Sequence, residues 1–275
     1  MPKYRIVPRI NPETYKIITK KRIPKDKELR YLLIIPCVNR EERSAINIIE
    51  RTFESFENGG LFTTTIKFDL LLLESGSNNL SYLYFLNNIL KKYPDLNVQI
   101  SKSPVPLDAY GNTYRMFYYI AKNASKYDFV IWMDDDVYVC KKFMENTDAW
   151  IKRYANYSLF SSLYVPYKSV LIRNEKHCQL SDISTFYGTC CVVLKPALAK
   201  YVLANFMNFT GYPDWRFRKS IMSYFPGING IVVSYPSLVQ HIGIGSSIYK
   251  NKITTGHRAR NFIGEDKDPR YYKQL

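Results

Sequence analysis

Phe129-Val130-Ile131-Trp132-Met133-Asp134-Asp135-Asp136-Val137 runs from five apolar residues straight into three consecutive carboxylates. A short, uninterrupted apolar run predicts a buried strand. Carboxylates are almost never fully buried without a partner, and three in a row repel one another. A hard divalent cation relieves that repulsion, because such ions take carboxylate oxygens and keep positions open for substrate phosphates. The pattern therefore points to a strand that delivers Asp134, Asp135 and Asp136 to a metal–diphosphate site. The alternative is an acidic turn in which Asp136 caps the next helix.

Upstream of this stretch, strands and helices alternate. Residues 31–36 are apolar and predict a buried parallel strand. Ile46, Ile49, Phe53 and Phe56 recur at helical spacing, so a helix is expected over 42–57, stopped at Asn58-Gly59-Gly60. Further strands are expected over 68–73 and 98–101, with helices over 79–92 and 112–123 and a proline-bearing loop over 103–111. This is the alternation of a doubly wound α/β sheet, whose ligands bind at the carboxyl ends of the strands. Those ends carry Pro36, Val38, Asn39 and Arg40, then Glu74 and Ser75, then the three aspartates. Arg40, and Arg115 on the helix before the acidic strand, can reach phosphate oxygens in a fork geometry; for either, a surface salt bridge is the alternative. Glu74 is either a ligand acceptor at this edge or part of an exposed capping cluster. Neither a dinucleotide-binding glycine fingerprint nor a P-loop is present.

Downstream, a helix is expected over 143–155, strands over 159–166 and 189–194, and a polar loop between them holding His177 and Cys178. Helices follow over 196–206 and from the stretch Gly211–Arg216 to about 224, then a strand over 231–235. An edge strand over 15–19 is expected within a proline-punctuated arm, 1–30. The main domain is expected over 31–275, with a first half over 31–140, a second half over 141–250 and a basic, loosely held tail over 251–275.

The chain has 275 residues and a formal net charge of +15. Such a balance favours anionic partners, but the basic residues are spread along the chain, and neither a clustered basic face nor a nucleic-acid-reading motif is evident. Specific nucleic-acid binding is not expected. Five cysteines, an odd number with no C-x-x-C spacing, argue against a zinc site or disulfide framework and for reduced thiols in a cytoplasmic, soluble protein. No signal peptide or membrane span is expected; peripheral membrane contact stays open.

Asp134-Asp135-Asp136, placed after an apolar strand, resembles the D-x-D signature of nucleotide-sugar glycosyltransferases with the GT-A fold. Pro236-Ser237-Leu238-Val239-Gln240-His241-Ile242-Gly243, followed by Ser246-Ser247, resembles a segment of N-acetylglucosaminyltransferase IV-type enzymes. The resemblance implies a GT-A (Rossmann-like) mixed, mostly parallel sheet flanked by helices. It implies a nucleotide-sugar half over 31–140 and an acceptor half over 141–250, Mn²⁺ or Mg²⁺ held by Asp136 and His241, a UDP-sugar donor near Asp134 and Asp135, and uracil or ribose donors facing Glu74. A lone histidine after a strand is otherwise often structural. The soluble, basic, compact character resembles the glycosyltransferases that large algal viruses encode for capsid glycans, which implies xylose as the donor sugar first and N-acetylglucosamine next. Inverting transfer needs a carboxylate that removes the acceptor hydroxyl proton. Asp214, at an expected helix start beside Trp215, is the first candidate; it could instead be an N-cap, and Asp182 is the rival. A sugar-phosphate nucleotidyltransferase and a basic nucleic-acid-binding protein are the alternative functions.

Overall fold

The computed structural model describes residues 23–24, 26–39, 48–155, 158–166, 169, 171–175, 178–186, 188–226, 230–242, 259 and 262–264. The expected 15–19 strand, Arg40, His177 and the Gly243–Ser247 part of the C-terminal motif lie outside these residues.

Within them, β1 (Tyr31–Cys37), α1 (Ile48–Asn58), β2 (Phe68–Glu74), α2 (Leu80–Lys92), β3 (Asn97–Lys102), α3 (Ala109–Lys122) and β4 (Phe129–Met133) alternate as the sequence implies. They lead into β5 (Val137–Val139), α4 (Phe143–Tyr154), β6 (Phe160–Ser162), β7 (Leu171–Glu175), β8 (Cys178–Asp182) and β9 (Cys191–Leu194). The last described elements are α5 (Ala199–Phe206), α6 (Pro213–Tyr224), β10 (Gly230–Ser234) and β11 (Val239–His241). Nine strands form one mixed sheet in the order β3-β2-β1-β4-β9-β6-β10-β8-β7, and β11 pairs separately with β5. Strands β3, β2, β1 and β4 are mutually parallel, β6 is parallel to β10, and β9 and β8 are the strands that run the other way.

Strand side chains alternate between faces, and here the alternation makes two cores. Tyr31, Leu33 and Ile35 of β1 join Ile131 and Met133 of β4 against Phe53 and Phe56 of α1, Leu86 of α2 and Phe143 of α4. Leu32 and Ile34 join Val130 and Trp132 against Phe117 of α3, Phe206 of α5 and Phe217 of α6. Helices therefore cover both faces. The chain moves outward from β1 to β3 on one side and then crosses back to β4 on the other. The crevice between the carboxyl ends of β1 and β4 is the topological switch point, where open α/β sheets take their ligands.

Three expectations need correction. The polar stretch after β6 is not a loop: β7 and β8 form an antiparallel hairpin that extends the sheet beyond β10. The strand expected over 159–166 is only three residues long, and beyond it Val165 N–H is bonded to the Ser237 hydroxyl at 3.1 Å. Part of the tail expected to be loosely held is docked. Ala259 bridges to Pro166 and Phe262 to Ser237, the Ala259 N–H donates to Gln240 Oε1 at 3.2 Å, and both side chains pack on the first core.

Phe217 is the keystone of the second core. It is fully buried, stacks on Phe117 at 5.6 Å, and meets Trp132 at 5.6 Å and Phe160 at 4.8 Å edge-on. It thus joins α6 to α3, β4 and β6. Phe217→Ala should cost about 3–5 kcal/mol in chemical denaturation, the usual loss for a core phenylalanine. A loss below about 1 kcal/mol would show that the ring cluster is not the core element described.

Candidate functional site

The acidic loop sits at the switch point because β4 ends there. Asp134 N–H donates to the Cys190 carbonyl at 3.1 Å, so β9 fixes the loop's first residue. Asp135 turns its carboxylate back across the crevice, where Oδ2 accepts from Val38 N–H, just past β1, at 2.9 Å. Its carbonyl accepts from the Thr52 hydroxyl of α1 at 2.8 Å, and the same hydroxyl accepts from Val137 N–H at 3.2 Å. Ser55, one turn on, accepts from Val139 N–H at 3.3 Å. Two buried hydroxyls on α1 thus flank β5, on the opposite side from β11.

Strand β11 does the rest. Its register sets His241 opposite Val137 and Gln240 opposite Tyr138, and Ile242 N–H donates to the Asp136 carbonyl at 2.8 Å. In consequence His241 Nε2 lies 3.2 Å from Asp136 Oδ2. Both side chains are largely buried, with 14% and 8% of their surface exposed. Two neighbouring ligands of one octahedral ion with bonds of about 2.1 Å sit about 3 Å apart, so this pair fits a shared divalent cation. Among the described residues no third His, Cys, Asp or Glu completes a cluster. A bound ion would take its remaining ligands from water and from phosphate oxygens, as Mg²⁺ commonly does.

Of the residues expected to contact a nucleotide, Pro36, Val38, Asn39, Asp134 and Asp135 gather at this crevice, and Pro36, Val38, Asn39 and Asp134 are half-buried there. Glu74 and Arg115 are placed differently. Glu74 is completely buried, and its two oxygens accept from Gly76 N–H and Ser77 N–H, both at 2.8 Å. It braces the loop after β2 instead of offering a free acceptor. Arg115 spreads its fork over backbone carbonyls, Glu74 O at 2.9 Å and Ser101 O at 2.7 Å. It clamps the ends of β2 and β3, and burial lowers its pKa. The loop is tight: Gly76 has φ +97°, and a Cβ there would lie 2.3 Å from the Val105 carbonyl oxygen.

Asp214 stands in the first turn of α6. Its Oδ1 accepts from Trp215 N–H at 2.9 Å and its Oδ2 from Gly188 N–H at 3.1 Å. The first bond is local, while the second reaches a different loop. Gly188 is two residues from Cys190, whose carbonyl holds Asp134. One short segment therefore touches both the acidic loop and Asp214. Desolvation raises the Asp214 pKa above its ordinary value, against backbone hydrogen bonds and the Arg218 charge that lower it. Asp182 ends β8, opposite Gly230.

Sequence reasoning missed Thr52 and Ser55. The signal was present: both lie on the buried face of α1 with Ile49, Phe53 and Phe56, and a buried hydroxyl needs a partner.

No protein-family model matches the chain, and none of the curated proteins does. Solved structures do. A crystal structure of GalNAc-T7 with UDP, GalNAc and Mn²⁺ superposes with a TM-score of 0.54 at 12% identity, over 90% of this chain and 48% of that one. S. aureus TarS 1–349 in complex with UDP superposes with a TM-score of 0.50 at 15% identity, over 75% of this chain and 57% of that one. The chain thus spans about half the length of these proteins. The shared arrangement is that of the GT-A fold, a mixed sheet flanked by helices.

Thr52→Val keeps the shape of the side chain and removes the hydroxyl. It should leave Val137 N–H and the Asp135 carbonyl without that partner, costing roughly 1–3 kcal/mol in chemical denaturation. Thr52→Ser should keep wild-type stability. Wild-type stability in Thr52→Val would show that the Thr52 hydroxyl does not hold the acidic loop.

Proposed function

We propose that this chain is a metal-dependent, inverting glycosyltransferase that moves a sugar from a UDP-sugar to a hydroxyl of a glycan. The observation that carries the reading is the meeting of Asp136 and His241 at 3.2 Å, beside the Val38–Asp135 contact at the switch point. The likeness in fold to proteins solved with UDP and, in one case, Mn²⁺ supports it. Xylose, then N-acetylglucosamine, is the donor sugar favoured by the sequence resemblance.

Asp136 Oδ2 and His241 Nε2 are the atoms that would hold Mn²⁺ or Mg²⁺. When bound, the ion supplies Lewis-acid stabilisation of the departing UDP diphosphate. Asp135, bonded to Val38, keeps the ends of β1 and β4 together so that the uridine side of the crevice has a fixed width. Asp134, half-buried at the rim, faces the ribose. Asp214 serves as base: the acceptor hydroxyl gives its proton to the Asp214 carboxylate as its oxygen forms the new bond to the anomeric carbon. The bond to the UDP oxygen breaks on the opposite side, and its electron pair leaves with the diphosphate. Burial suits Asp214 to this role, since a raised pKa makes a carboxylate a stronger base.

UDP should raise the melting temperature only with metal present, because a ligand that binds the native state stabilises by mass action, about 2.7 kcal/mol at one hundred times its Kd. Asp136→Ala should lose the shift and transfer, and His241→Ala should be weakened less severely. Asp214→Asn should keep UDP–metal affinity while turnover falls by roughly 10²–10⁴. The base works ionised, so the wild-type rate should fall on acidification through a pKa above the ordinary aspartate value, and Asp214→Asn should lack that acidic limb. An equal shift in EDTA, or a response to GDP but not UDP, contradicts the donor assignment. Wild-type turnover in Asp214→Asn moves the base elsewhere, with Asp182 next.

A further inference from the structure

Three tryptophans occur in the chain. Trp132 and Trp150 are buried at 1% and 7% exposure, whereas Trp215 is 42% exposed. Large aromatic side chains are usually well buried, and this one is held in place without being covered. Gly211, at φ +106°, brings backbone against the ring: a Cβ there would lie 3.2 Å from Trp215 Cε3. The Tyr212 ring meets it nearly perpendicular, at 6.0 Å and 80°. From the next helical turn, the Arg218 guanidinium lies 5.7 Å from the ring centroid. Arg218 is in turn anchored to the Ser184 and Phe186 carbonyls, the latter at 3.1 Å, and its charge acts on Asp214. The half-exposed indole thus belongs to the residue whose backbone N–H bonds the Asp214 carboxylate, and the other bond of that carboxylate leads to Gly188.

We propose that Trp215, backed by Tyr212 and Arg218, is the stacking platform for a pyranose ring of the acceptor, and so a residue that determines acceptor specificity. The proposal rests on the glycosyltransferase reading and deepens it. An acceptor hydroxyl brought to Asp214 carries its own sugar ring, and Trp215, whose backbone N–H bonds that carboxylate, is the exposed aromatic next to it along the chain. The flat C–H face of an equatorially substituted pyranose is apolar and faintly positive, and the indole face is apolar and negative. Such a platform binds the class of ring more than any one hydroxyl pattern, which suits β-linked gluco- and xylo-configured sugars.

The unequal exposure of the three tryptophans makes the test direct, since acrylamide quenching of tryptophan fluorescence reads chiefly Trp215. With saturating UDP and Mn²⁺, millimolar methyl β-D-xylopyranoside, methyl β-D-glucopyranoside or methyl N-acetyl-β-D-glucosaminide should reduce the quenching, and in Trp215→Phe this loss of quenching should be absent. In the transfer reaction Trp215→Ala should raise the acceptor KM by about tenfold, the scale of a lost aromatic contact, and Trp215→Phe by much less. The Kd for UDP–Mn²⁺ should not change in either variant. UDP binding with no shielding by any of the three pyranosides overturns the platform alone. Shielding instead by anionic lipid vesicles, or by raising the protein concentration, reassigns the ring to a membrane or a second copy and also overturns it. Failure of wild-type protein to bind UDP overturns the functional reading first, and this inference with it.

Discussion

The site depends on a three-residue pairing between strands that lie about 100 residues apart in the chain, β5 and β11. Closing a loop of that length costs on the order of 4 kcal/mol in chain entropy by logarithmic scaling. A few hydrogen bonds, each contributing about 1 kcal/mol net, only roughly offset that. The margin comes from what surrounds the pair. Val137, Val139, Leu238 and Val239 are all buried, Cys140 N–H reaches the Leu238 carbonyl, and Leu238 N–H reaches Leu163. On the other side stand the Thr52 and Ser55 hydroxyls. Because a register slip of one residue would turn His241 to the opposite face, the same contacts that stabilise the pairing also fix His241 on Asp136.

The two sides of the crevice are built on different physical terms. On one side Glu74 and Arg115 spend their charges on N–H and carbonyl groups at the β2 and β3 ends. Charges used this way are satisfied, and their burial is tolerable for that reason. The Asp214 side keeps a carboxylate under desolvation, restrained by two backbone donors.

Much of this was legible in the sequence. The apolar runs of β1 and β4 are unbroken, and β2 carries only Asp69 ahead of Leu70–Leu73, so buried strands were the expected reading and their ends named the crevice. His241 was legible through its motif, as was the acidic loop. The β7–β8 hairpin was not, because Leu171-Ile172-Arg173-Asn174-Glu175 and Cys178-Gln179-Leu180-Ser181-Asp182 lack both a continuous apolar run and clean alternation. Strands β5 and β11, at three residues each, are too short to carry a periodicity. Arg115 was misjudged for a different reason: a guanidinium fork fits two backbone carbonyls as well as a phosphate, and only the neighbours at β2 and β3 decide which. Glu74 likewise reads as an exposed cap until its own loop is seen to fold over it.

The central claim is that Asp136 and His241 share one divalent cation at the end of β4. Anomalous diffraction at the manganese edge, from crystals grown with UDP and Mn²⁺, measures that directly. The account predicts a single strong peak within bonding distance of both Asp136 Oδ2 and His241 Nε2, with UDP diphosphate oxygens on its open side. A peak elsewhere, or ordered UDP in the crevice with no manganese between those two side chains, would contradict it.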